Sequence, residues 1–170
     1  TSVTDKEIPL IQKHLPDILR SLDNDSYNLV DLGCGNGKKA AILIEDLSKK
    51  LDLRYGPIDI SAYMVKKAAE TLKKISDSEI IQFQWNVSDF ENLNNIMPLL
   101  REEPYENNLL LLLGNTLGNF DIEDILHSMQ ASMHVGDTLL IGNGIAGIKK
   151  PEQWVKDYRN DTSQHWLRET

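Results

Sequence analysis

Short apolar runs of strand character alternate along this chain with segments whose apolar residues recur at helical spacing. The first run, Asn28 to Leu32, is followed by a helix from about Lys38 to Lys50 that places Ala40, Ala41, Leu43, Ile44, Leu47 and Leu51 on one face. A second strand is predicted at about Leu53 to Ile58. Ser61 then stands at the N-cap position of a helix carrying Met64, Val65, Ala68, Ala69, Leu72 and Ile75. A third strand is predicted at about Ile80 to Trp85, a fourth at Asn108 to Leu113 and a fifth at about Thr138 to Ile141. A helix on Ile122, Ile125, Leu126, Met129 and Met133 precedes the last. The uninterrupted leucines of the fourth strand leave it no polar face, so it is expected to be buried on both sides.

Strands alternating with helices are what βαβ units require, so the expected fold is α/β, a doubly wound and mostly parallel sheet of five strands. Ahead of the first strand, Thr4 and Glu7 have capping-box spacing, but Pro9 and Pro16 predict short helical pieces over one edge of the sheet. After the fifth strand, Lys149 to Arg159 is expected to form a surface helix with Pro151 near its first turn. The 170 residues suit one domain, with a helical cover over 1–26, a core over 27–148 and the start of a downstream region over 149–170. The chain begins at Thr1 and ends on a polar stretch with no closing element, and both ends are expected to be boundaries within a longer protein.

Composition narrows the partners. A formal net charge of -8 disfavours a nucleic-acid binder, which needs clustered Lys and Arg to displace counterions, so a small-molecule substrate or a protein partner is expected. The single cysteine, Cys34, rules out an intramolecular disulfide and suits a reducing cytoplasm. The longest apolar run, Leu109 to Leu113, falls far short of the roughly 20 residues of a membrane span. His14, His127, His134 and His165 show no metal-ligand spacing, and no metal is expected. An unpaired fifth strand would leave an edge for weak homodimer formation.

The chemistry concentrates at the predicted carboxyl ends of the strands, where open α/β sheets bind ligands. Asp31-Leu32-Gly33-Cys34-Gly35-Asn36-Gly37-Lys38-Lys39 is a glycine-rich turn between the first strand and its helix. Glycine there admits positive φ and close approach of a ligand to the backbone, and a helix N-terminus beyond it favours an anionic group. Asp59, ending the second strand, can accept both vicinal hydroxyls of a ribose. After the third strand, Asp89 can accept from an adenine amine while Phe90 packs on the ring edge. The fourth strand ends in Leu113-Gly114-Asn115-Thr116-Leu117-Gly118-Asn119-Phe120, which sets small residues and amide groups against the cleft. Tyr55 and Tyr63 are expected to be packing residues.

These four segments, in this order, resemble the class I methyltransferases, and more narrowly the histidine-specific methyltransferases, a family that includes the ergothioneine-pathway enzyme trimethylating the α-amino group of histidine. The Leu-Gly-Asn-Thr-Leu-Gly-Asn-Phe run is similar to that family's Gly-Ser-Thr-Ile-Gly-Asn-Phe signature, and the resemblance spans roughly Thr4 to Asp161. It implies a Rossmann-like core, S-adenosylmethionine as cofactor and methyl transfer to a small-molecule acceptor, such as the α-amino group of histidine or a related amine. It implies further that Gly33, Gly35 and Lys39 line the methionine end of the cofactor and that Asp59 holds its ribose, with Gly37 also expected among the cofactor-binding residues. Asp89 and Phe90 would then hold the adenine, Gly114 and Asn115 line the cleft, and Asn119 touch the acceptor. No catalytic residue is assigned. The family's tyrosine ahead of its Thr-x-x-Glu pattern has no counterpart before Thr4, and its acceptor-binding segment after the fifth strand falls beyond Thr170. The fragment alone is therefore expected to be inactive.

Two other functions remain open on the residues. A nicotinamide-dependent oxidoreductase would share the architecture, but its Gly-x-Gly-x-x-Gly fingerprint puts the third glycine one place later than Gly37. A non-catalytic S-adenosylmethionine-binding module would keep the cleft and lack turnover.

Overall fold

The structure, a computed structural model, describes residues 3–82, 86–88 and 90–144. Its five strands, β1 (Ser26–Leu32), β2 (Asp52–Ile58), β3 (Glu79–Ile80), β4 (Asn107–Leu112) and β5 (Thr138–Ile141), form one sheet in the order β3-β2-β1-β4-β5. All neighbours pair in parallel, with Leu29 of β1 opposite Tyr55 of β2 and Leu109 of β4. The chain winds outward from β1 to β2 and β3, then crosses back to β4 and β5. Strand order therefore reverses beside β1, and the carboxyl ends of β1 and β4 flank the crevice that such a reversal opens.

Among the described residues, five α-helices cover the sheet: α1 (Val3–Arg20), α2 (Lys38–Leu47), α3 (Ala62–Leu72), α4 (Leu93–Leu100) and α5 (Ile122–Ser132). The period of two along each strand sorts the core into two faces. Leu29, Tyr55, Leu109 and Leu111 pack with Ile11 of α1, Leu43 of α2 and Ala68 of α3, whereas Val30, Leu32, Leu110 and Leu112 pack with Ile96 of α4 and Met129 of α5. Leu109 to Leu112 are fully buried, as the unbroken leucine run predicts. Burying each such side chain contributes roughly 1.5–3 kcal/mol.

The amino-terminal segment departs from expectation. Pro9 and Pro16 do not divide it, and α1 is a single helix lying on α2 over one face of the sheet, not a set of short pieces at its edge. The prolines are seven residues apart and both exposed, so the hydrogen bonds they remove are lost on the solvent side. Ile11, Leu15, Ile18 and Leu19 hold the other side to the core. Thr4 lies inside this helix, not ahead of it, and the Glu7 carboxylate of the expected capping box is taken up elsewhere.

β3 is shorter than the predicted third strand, ending at Ile80; residues 83–85 lie outside the described residues, and pairing with the second strand resumes as a single Asp59–Val87 bridge. The predicted Lys149 to Arg159 helix also lies outside them. Helix α4 was not anticipated, although Leu93, Ile96, Met97 and Leu100 are buried at i, i+3, i+4 and i+7.

Toward the amino ends of the strands a buried polar cluster ties the layers together. Asn28 Nδ2 donates to the Leu100 and Tyr105 carbonyls at 2.9 Å and to Asn108 Oδ1 at 3.0 Å, and its Oδ1 accepts from Arg54 Nε and Nη2. Arg54 also pairs with Glu102, while its guanidinium lies 4.4 Å from the Tyr105 ring centre. Its charge, almost wholly removed from water, is thus compensated by acceptors and a π face.

Candidate cofactor site

The turn after β1 is built on three left-handed glycines: Gly33 at φ 69°, Gly35 at 51° and Gly37 at 71°. The Gly33 and Cys34 N–H groups donate to the Ile58 carbonyl at 2.8 and 3.1 Å, which pins the turn to the end of β2. Each glycine has its own steric reason. A Cβ on Gly33 would stand 3.0 Å from Thr116 Cγ2 and 3.7 Å from Phe90, whereas one on Gly37 would stand 2.7 Å from the Ala68 Cα. Nothing lies within 4 Å of a Cβ built on Gly35, so its backbone faces open space. Gly33 and Gly37 therefore shape the turn, and Gly35 presents bare backbone to the crevice.

Asp59 stands beside this opening. Its Oδ2 accepts from the Gly35 N–H at 3.1 Å and its Oδ1 from the Ser61 N–H at 3.0 Å, so one carboxylate joins the β1 turn to the start of α3. Ser61 caps α3 as its position predicts, accepting from the Met64 N–H.

On the other side of β1, Lys39 Nζ donates to Glu7 Oε2 at 3.0 Å and the Gly114 N–H donates to Glu7 Oε1 at 2.9 Å. This pair is largely enclosed, with the Lys39 side chain 22% and that of Glu7 9% exposed. Lys39, Gly114 and Glu7 thus come from α2, the end of β4 and α1. Sequence reasoning assigned Lys39 and Gly114 but treated Glu7 as half of a helix cap; its spacing from Thr4 masked a tertiary role.

A second carboxylate lies at the penultimate residue of β1. Asp31 is buried and accepts from Tyr55 Oη at 2.8 Å. Burial pushes its carboxyl up to about 6, against the lowering effects of the Tyr55 hydrogen bond and the Lys39 charge, with a further upward push from Asp59. The sequence signal for it was a charged residue inside an otherwise apolar strand. The Cys34 thiol is raised by burial first and by the Asp31 and Asp59 charges next, so the thiolate is suppressed.

Phe90 is buried among the α4 and α5 residues, with its ring centre 4.9 Å from that of Phe120. Asn115 adopts a left-handed conformation at φ 62°, and its Oδ1 accepts from the Gly144 N–H. Asn119 is exposed at the end of the 3-10 turn Thr116–Asn119, next to the half-exposed Phe120. Asp89 lies outside the described residues. Tyr55 is a packing residue, as expected, but Tyr63 is not: it is largely exposed and its ring lies near Lys67 Nζ, because its place on α3 points away from the sheet. Among the described residues, no group of three or more His, Cys, Asp and Glu side chains could hold a metal ion, and no helix is long and apolar enough to cross a membrane.

The described surface around the β1 turn offers what a nucleoside joined to an amino acid needs: open glycine backbone, a carboxylate held in place at Asp59, and a cationic group at Lys39. Comparison with known proteins gives that fit a family. The architecture is similar to a protein of Methanococcus maripaludis assigned to the S-adenosylmethionine-dependent methyltransferases (TM-score 0.53, 17% identity, 96% of this chain and 74% of that one). It is also similar to the S-adenosylmethionine-dependent methyltransferase of Agrobacterium tumefaciens (TM-score 0.51, 11% identity, 83% and 46%). In sequence the chain is 25% identical to ergothioneine biosynthesis protein 1 of Schizosaccharomyces pombe over 143 residues, 81% of this chain and 18% of that protein. It is 24% identical to N-methyltransferase fsqC of Aspergillus fumigatus over 168 residues, 97% of this chain and 44% of that protein. It therefore spans less than half the length of either relative. The model of the S-adenosylmethionine-dependent, histidine-specific methyltransferases matches residues 2–166, nearly the whole chain, and the chain belongs to that family.

Proposed function

We propose that this chain is the cofactor-binding part of an S-adenosylmethionine-dependent N-methyltransferase whose acceptor is the α-amino group of histidine or a related amine. The observation that carries this reading is the Asp59 bridge from the Gly35 N–H to the Ser61 N–H, which sets an acid beside the open backbone of the β1 turn. The names of the relatives, one an ergothioneine biosynthesis protein and one an N-methyltransferase, support an amine acceptor.

When bound, S-adenosylmethionine supplies a methyl group on a sulfonium that leaves as a neutral thioether. The chain's own work is to hold and orient. Gly33, Gly35 and Gly37 shape the floor under the cofactor, Lys39 takes its carboxylate, Asp59 its ribose, and Asp89 with Phe90 its adenine. Gly114 and Asn115 line the side where the acceptor enters, and Asn119 touches the acceptor. Alignment of this kind is worth about 7–11 kcal/mol of barrier when complete. The reading includes a cytoplasmic protein acting on a small molecule, with no nucleic-acid or membrane partner. It also includes weak self-association through β5, which among the described residues pairs with β4 alone and leaves Ile141 39% exposed.

Calorimetric titration tests the core of this reading. S-adenosylmethionine and S-adenosylhomocysteine are expected to bind residues 1–170 and NAD is not; binding of NAD with neither methyl-donor ligand would overturn it.

A further inference from the structure

Among the described side chains of α1, Glu7 carries its charge to the crevice, where it meets Lys39 across 32 residues of sequence. A partly buried ion pair is a poor device for stability alone, since desolvation offsets most of its attraction. The surroundings keep backbone bare around both charges. A Cβ on Gly114 would stand 2.1 Å from Lys39 Nζ, and a Cβ on Gly142 would stand 2.1 Å from Glu7 Oε1. Both partners also retain capacity. An ammonium has three donors, of which Lys39 gives one to Glu7, and a carboxylate has about four acceptor sites, of which Glu7 fills two with Lys39 and the Gly114 N–H.

We propose that Glu7 and Lys39 together receive a zwitterion, Lys39 taking the carboxylate and Glu7 the ammonium of the cofactor's amino-acid end, so that Glu7 is a specificity residue for ligands carrying a free α-amino acid. This rests on the reading of the crevice as the S-adenosylmethionine site. A cation and an anion held side by side match the alternating charges of an α-amino acid, which a lone lysine does not. A ligand carboxylate placed on Lys39 without its own ammonium would meet the like charge of Glu7, and the ammonium removes that conflict. A rival acceptor, Asp31, has one oxygen committed to Tyr55 and is buried. Glu7 also couples the ligand to α1, because the same carboxylate anchors that helix to the end of β4.

The test compares three ligands by calorimetry on the wild-type chain and on Glu7→Gln: S-adenosylhomocysteine, its analogue lacking the α-amino group, and 5′-methylthioadenosine, which lacks the amino-acid end. Glu7→Gln keeps an oxygen for the Gly114 N–H and nearly the same volume. It is expected to weaken S-adenosylhomocysteine about tenfold or more, the scale of a hydrogen bond between charged groups, to tighten the analogue lacking the α-amino group by removing the like charge beside its carboxylate, and to leave 5′-methylthioadenosine unchanged. Comparing ligands within one variant cancels any change in its stability, and Glu7→Asp should recover part of the loss. Equal weakening of all three ligands, or unchanged or tighter S-adenosylhomocysteine, overturns the proposal while leaving the cofactor reading intact. So does an ammonium-dependent loss that appears in Asp31→Asn and not in Glu7→Gln. A wild-type chain that binds none of the three overturns the cofactor reading and this proposal with it.

Discussion

The backbone at Gly37 lies against Ala68 so closely that a Cβ there would stand 2.7 Å from the Ala68 Cα and 2.9 Å from its Cβ. The same glycine precedes α2 at φ 71°, a conformation that L side chains rarely adopt. Its place in the glycine-rich turn is thus decided by the approach of α3 to α2 as much as by any ligand.

Gly37→Ala is accordingly expected to lower stability by roughly 2–4 kcal/mol, the sum of a left-handed penalty and an overpacking cost. Urea unfolding followed by circular dichroism would measure it. An unchanged midpoint would mean that α3 moves away freely and that the contact is not a constraint.

Asp59→Ala is expected to weaken S-adenosylhomocysteine by roughly 1.5–3 kcal/mol, the scale of hydrogen bonds to a charged group. Because Asp59 also accepts from the Gly35 and Ser61 N–H groups, the variant should lose stability as well as ligand. Asp59→Asn, which keeps one acceptor oxygen, should recover some of the stability. Titration beside thermal melting separates the two effects, and normal ligand affinity in Asp59→Ala would remove the ribose role.

The third prediction concerns pH. Burial raises the Asp31 carboxyl from 3.8 to about 6 in the folded chain. Between those values the folded state holds a proton that the unfolded state has released, so this group's contribution to stability falls as pH rises from about 4 to about 6 and stays low above that. Asp137 works in the opposite sense, since the Arg101 pair and the His134 and Asn108 N–H groups outweigh its burial and hold its carboxyl low; it loses stability on acidification. The informative quantity is therefore the difference between wild type and Asp31→Asn. Asp31→Asn is expected to gain on wild type by about 1–3 kcal/mol as pH rises through this window. Urea midpoints that stay parallel from pH 4 to 7 would show that Asp31 is ionised throughout.

Much of the architecture was legible because it depends on local periodicity and on burial. The leucines of β4 face two helical layers, so no polar residue interrupts them, and Ser61 caps α3 through its own Met64 N–H three residues on. Helix α4 is poorly legible in the sequence because the apolar spacing of Leu93, Ile96, Met97 and Leu100 is short and carries Pro98 inside it. The two prolines of α1 misled for a related reason. A proline costs a helix bond wherever it stands, but how much that matters depends on which side faces water, and only packing against α2 decides that.

The amino-acid order by itself determined β1, β2, β4 and β5, the alternation with helices, the glycine turn after β1 and an acid at the end of β2. Each of these follows from residues close in sequence. The tertiary structure alone decided the partners. Asp31 and Tyr55 are 24 residues apart and Glu7 and Lys39 are 32 apart, yet each pair is within hydrogen-bond reach. Gly37 and Ala68 meet because α2 and α3 lie side by side on one face of the sheet. Local spacing carries no information on such contacts. They are set by strand order, by parallel register and by which side of each helix the sheet accepts, and burial then fixes how strongly each charge feels its neighbour.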